Sequence, residues 1–125
     1  MISNEKLTTC EKEWLEIMLS YDFVYKNILI DQINQADIKR DYTDYFFRIL
    51  FDVPSIISPI PIKVRVPIEM RVYSKNKVPI QFFLHIMDGF VSELEIFNAD
   101  SSPMDKEIKI TKKQIIIDPV LTNDI

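Results

Sequence analysis

Residues 80–100 read IQFFLHIMDGFVSELEIFNAD, and no other stretch constrains the fold as strongly. Two runs rich in β-branched and aromatic residues flank an Asp88-Gly89 pair, which is the pattern of a β-hairpin. Ile80, Phe82, Leu84 and Ile86 share one face of the first strand. Phe90, Ser92, Leu94 and Ile96 share one face of the second. These faces bear on the turn length. A two-residue loop would pair Met87 with Phe90 and set Glu93 and Glu95 beside Leu84 and Phe82. Burying an unpaired carboxylate costs several kcal/mol, on the order of a domain's net stability. A three-residue loop, Met87-Asp88-Gly89, pairs Ile86 with Phe90, aligns Phe82 with Leu94 and places Gly89 at a left-handed bulge position. The three-residue loop is the expected one.

Gly89 is the only glycine in 125 residues, and His85 the only histidine. One glycine excludes most phosphate-cradling and oxyanion loops. One histidine and one cysteine exclude most metal sites. No metal, cofactor or catalytic set is expected, and the chain is not expected to be an enzyme.

A length of 125 residues suits one domain with a core of its own, here residues 1–125. The single cysteine, Cys10, allows no intrachain disulfide, so a reducing cytoplasm is the expected compartment. No apolar run of about 18 residues is present, so no membrane span is expected. The opening MISNEKLTTCEKEW is polar and acidic and has no apolar signal region. The net charge of −4 argues against nucleic-acid binding and is compatible with a basic protein partner.

Residues 7–20 read as a first helix. Thr8 and Glu11 have capping-box spacing. Cys10, Trp14, Ile17, Met18 and Tyr21, joined by Leu15 and Leu19, make the apolar side, while Glu11, Glu13 and Glu16 favour the remaining surface. Residues 26–36 read as a second helix with Ile28, Leu29, Ile33 and Ala36 on its apolar face. Together, residues 1–36 form a helical hairpin. Residues 37–44 are charged and read as a loop. Residues 43–53 and 62–73 read as strands, followed by the two strands of the hairpin. Seven prolines punctuate the chain, and residues 54–61 (PSIISPIP) form an extended linker. Asn76 suits a turn over residues 74–78. Residues 107–118 offer a further strand, interrupted by Lys112 and Lys113. The sheet thus spans residues 43–118, and residues 119–125 are a loose tail. The expected fold is α+β: two N-terminal helices packed on one face of a four- to five-stranded antiparallel meander.

His85 and a neighbouring carboxylate could act as a general base, but no nucleophile accompanies them. The plainer reading is a half-packed sheet histidine, opposite Val91 and diagonal to Glu93. Glu93 and Glu95 leave one strand face together, either as a solvated pair or as contacts for a partner's Lys or Arg. Lys63, Arg65, Arg71 and Arg48 could pair with them across the sheet. Asp88, Asp100 and Asp105 lack the ligand alternation of a calcium loop and read as turn residues. Cys10 reads as a packing residue.

The residues Asp88, Gly89, Ser92, Glu93, Leu94, Glu95, Ile96, Asn98, Ala99 and Asp100, with the opening EKEWLEIML, resemble a group of small bacterial proteins. These share an Asp-Gly turn, a Ser-Glu-Leu-Glu-Ile strand and an Asn-Ala-Asp loop. Some of them look like immunity proteins encoded beside polymorphic toxins. The resemblance implies a cytoplasmic protein-binding module that neutralises a basic toxin domain by occlusion. Glu93, Glu95, His85, Asp100, Glu13 and Glu16 are the candidate contacts. Two other readings stay open. One is a small-ligand binder or hydrolase that uses His85 and Glu93 on the open sheet face. The other is a homodimer or subunit that associates through an edge strand or that face.

Overall fold

A computed structural model describes residues 6–122. Among them are two α-helices, α1 (Thr9–Met18) and α2 (Lys26–Gln35). Six strands follow: β1 (Asp37–Tyr42), β2 (Phe46–Asp52), β3 (Ile68–Tyr73), β4 (Ile80–Met87), β5 (Phe90–Asn98) and β6 (Lys112–Ile117). They form one antiparallel sheet in the order β1-β2-β5-β4-β3-β6. The class is α+β, with six strands rather than four or five. Only β3-β4-β5 is a meander, because β2 pairs with β5 instead of β3. No helix among the described residues is long and apolar enough to cross a membrane. The first residues of the polar opening and the last three of the expected tail lie outside the described residues.

Alternation builds the inner sheet face. Ile38, Ile49, Phe51, Ile68, Met70, Val72, Phe82, Leu84, Ile86, Val91, Leu94 and Ile96 are buried in one core. Trp14, Leu15 and Met18 of α1 and Leu29 and Ile33 of α2 belong to the same core. Trp14 stands edge-on to Phe82, with ring centroids 5.8 Å apart. Burying each such side chain contributes on the order of 2 kcal/mol.

The capping box forms as its spacing implies: the Thr8 amide donates to Glu11 and the Glu11 amide to the Thr8 hydroxyl. Trp14, Leu15, Met18 and Leu19 of the expected apolar side of α1 are buried, but the residues at its two ends are not. Cys10 is exposed, so it is not a packing residue, and Tyr21 is exposed too. Glu11 is buried, not solvated, because it stands three, four and seven residues before Trp14, Leu15 and Met18. Its carboxylate receives Arg40 Nε at 2.6 Å and the Tyr42 hydroxyl at 2.7 Å. Those partners lie on β1, in the stretch expected to be a loop. Its charges form an edge strand because Arg40 and Tyr42 turn inward onto Glu11 while Asp41 turns outward onto Arg48.

The other edge differs from expectation in a similar way. Lys112 and Lys113 sit within β6 and do not break it; charged residues on an edge strand also deter pairing with another chain. The strand expected over residues 62–73 begins only at Ile68. Pro61 and Pro67 lack amide donors, and the chain before Ile68 crosses the hairpin tip, where Arg65 accepts from the Ile86 amide. The C-terminal segment is not loose where it is described. Leu121 is buried in the core, and its carbonyl accepts from the Val24 amide.

Buried Gln32 fastens α2 to the linker and the hairpin. Its amide nitrogen donates to the carbonyls of Ser58 and Gly89, at 3.0 and 2.9 Å. Its oxygen accepts from the Val91 amide at 2.8 Å. A buried side-chain amide satisfied in this way specifies one arrangement of three segments.

Candidate functional site

The hairpin resolves its face problem differently from the expected loop. Met87 pairs with Phe90, so the loop has two residues, and Asp88 and Gly89 both adopt positive φ (53° and 86°). That is the mirror-image turn favoured by strand twist. The extra residue enters further down. Ile86 pairs with Val91 and His85 with Glu93, so Ser92 is the bulge. The bulge turns Leu94 and Ile96 inward and Glu93 and Glu95 outward, the parity that the burial argument required. Phe82 consequently faces Ile96, not Leu94, and His85 faces Glu93, not Val91.

The bulge therefore builds a polar cluster on the outer face. Without it His85 would oppose Ser92; with it, His85 lies opposite Glu93 and diagonal to Glu95. His85 Nε2 is 3.0 Å from a Glu95 oxygen. One donor atom from each of His85, Glu93 and Glu95 lies within 4.8 Å of the others. Arg48 of β2, which pairs in register with Glu95, donates to Asp41 at 2.8 Å and approaches Glu93 at 4.0 Å. The Asp41 hydrogen bond, more than the nearby carboxylates, raises the Arg48 guanidinium above its ordinary range. The side chains of His85, Glu93 and Glu95 are 30%, 22% and 34% exposed. Water can thus reach the cluster, though each group is partly desolvated.

Aromatic residues flank these charges. Phe83 meets Phe97 edge-on at 5.2 Å, and His85 at 6.3 Å. Arg48 lies over the Phe46 ring at 5.2 Å, within cation–π range. Arg48 is one of the cations expected to pair with these glutamates, whereas Asp41 is not an expected member; its signal is the single cation within the apolar run YFFRILF, which needs an anion near it.

The remaining expected contacts do not join this cluster. Asp100 lies in the loop after β5, where its carboxylate accepts from the Ser102 amide, and hydrogen bonding to Ser102 lowers its pKa. Glu13 and Glu16 are exposed on α1, whose Trp14 packs on the opposite sheet face. A groove of about 810 Å³ beside the hairpin tip is lined by residues including Pro59, Ile62, Arg65, His85 and Ser92. It takes in His85 but not Glu93. Of the expected cationic partners, Arg48 reaches Glu93, while Lys63 and Arg65 lie in the segment before β3. No protein-family model, no curated protein and no solved structure matches the chain.

Proposed function

We propose that the chain is a protein-binding module that occludes a basic partner with its outer sheet face, as an immunity protein neutralises a toxin domain in the cytoplasm. One observation carries the reading. Asp41, Glu93 and Glu95 set three carboxylates against one arginine and one histidine on a half-exposed face. The phenylalanines at its margin add apolar contact area. Interfaces of this kind use charge to steer encounter and aromatic anchors to hold the complex. The net charge of −4 acts in the same direction.

The test is affinity capture from cells that carry the protein natively, using the wild-type chain and the double variant Glu93→Lys, Glu95→Lys. The expected result is capture of a basic domain whose activity the wild-type chain neutralises, with both effects lost in the variant. Capture that survives the double charge reversal would place the interface elsewhere. Failure of the captured domain to be neutralised would remove the occlusion mechanism.

A further inference from the structure

We propose that His85, Glu93 and Glu95 form a binding site for one divalent first-row transition cation, with Zn2+ as its representative. The histidine and cysteine count argued against a metal site because it left out the carboxylates that the Ser92 bulge swings beside His85. Three donors converge from two adjacent strands: imidazole Nε2 and one oxygen from each glutamate, all within 4.8 Å of one another. Zinc binds imidazole nitrogen and carboxylate oxygen at about 2.0–2.2 Å, which sets tetrahedral donor atoms roughly 3.4 Å apart. The 3.0 Å separation of His85 Nε2 and Glu95 Oε1 is already close to that edge. The Glu93 donor already lies within 4.8 Å of the other two.

Electrostatics favours a cation here. Arg48 has its short contact with Asp41 at 2.8 Å and stands 4.0 Å from Glu93. Glu93 and Glu95 bring two carboxylates together at His85, and Arg48 approaches only one of them. At 4.0 Å the guanidinium is beyond hydrogen-bond distance of Glu93, so its short bond to Asp41 leaves the Glu93 carboxylate able to meet a cation. The donor set selects the class of ion. Calcium takes six to eight oxygens and magnesium retains several waters, whereas an imidazole with two carboxylates suits zinc and its neighbours. Three protein donors on a partly exposed face leave a coordination position for water or for a side chain from outside.

The test uses tag-free, chelator-stripped protein and Zn2+ alone. His85 is the only histidine, so its imidazole proton signals are assigned in a one-dimensional NMR spectrum without further work. We expect these signals to shift and saturate at one Zn2+ per chain. Calorimetry should show at least about tenfold weaker binding for Glu95→Gln and for His85→Ala, with Glu13→Gln unchanged. Circular dichroism and Trp14 fluorescence establish that the variants are folded. Zinc that leaves the His85 signals in place, or that binds wild type and Glu95→Gln equally, would overturn the proposal. The cluster would then be a hydrogen-bonded pair beside a carboxylate.

Discussion

Substituting Glu11→Gln should destabilise the protein at neutral pH and leave it almost unaffected in acid. Burial alone would push the Glu11 carboxyl up. Hydrogen bonds from Arg40, the Thr8 amide and Tyr42, together with the Arg40 charge, outweigh that and hold it at about 2, against an ordinary 4.5. A shift of that size corresponds to about 3 kcal/mol. The Arg40 side chain is 22% exposed, so solvent screens part of the attraction, and about 2 kcal/mol is the expected deficit at pH 7. The sign follows from linkage. A carboxyl whose pKa is depressed on folding contributes fully above 4.5 and loses the contribution as pH falls toward 2. Glutamine mimics the protonated carboxyl in shape and charge, so the wild-type and variant curves should converge over that window. Urea unfolding followed through Trp14, the sole tryptophan, reports on α1 itself, since Trp14 is buried one turn from Glu11. A deficit that stays constant from pH 7 to pH 2.5 would refute the argument, because the carboxylate charge would then not carry the stabilisation.

Two further substitutions probe the hairpin tip. Gln32→Leu removes both donations to Ser58 and Gly89 and leaves the buried Val91 amide unsatisfied; a loss of about 2–4 kcal/mol is expected in urea unfolding. Gly89→Ala should cost at least about 2 kcal/mol, because φ is +86° and the new Cβ would stand 2.7 Å from the Ile60 carbonyl oxygen and 2.9 Å from Pro59 Cβ. An unchanged denaturation midpoint in Gly89→Ala would mean that the tip does not hold this conformation.

The β4–β5 hairpin was legible because strand parity is unforgiving. A one-residue slip would have put Glu93 and Glu95 into the core, so some extra residue had to exist between Ile86 and Leu94. Its position was not legible. A longer loop and a bulge at Ser92 satisfy parity equally, and the choice rests on contacts distant in sequence: Arg65 on the Ile86 amide, Gln32 on the Val91 amide and Ile60 on the Gly89 carbonyl. The same limit hid β1. Residues 37–42 contain one clearly apolar side chain, Ile38, and become a strand only because Glu11 and Arg48 supply partners for their charges. The candidate site was legible in part: His85, Glu93 and Glu95 stood out as residue types, but their convergence depends on the bulge.

Neighbouring residues of β1 separate two kinds of polar cluster. Arg40 and Tyr42 point inward and Asp41 outward, so consecutive side chains feed opposite faces of one sheet edge. On the inner face Glu11 is enclosed, and its oxygens receive Arg40, Tyr42 and the Thr8 amide. That cluster pairs a buried carboxylate with a cation and contributes to stability. In the outer cluster Asp41, Glu93 and Glu95 outnumber Arg48, and each of these side chains is partly wet. Exposed pairs there are worth at most about 1 kcal/mol each. The Ser92 bulge that keeps Glu93 and Glu95 out of the core also brings both carboxylates beside His85. On the proposed readings this outer cluster meets a cation or a basic surface, and the two clusters answer to different experiments. Acid should weaken the inner one through Glu11, and added Zn2+ should engage the outer one through His85.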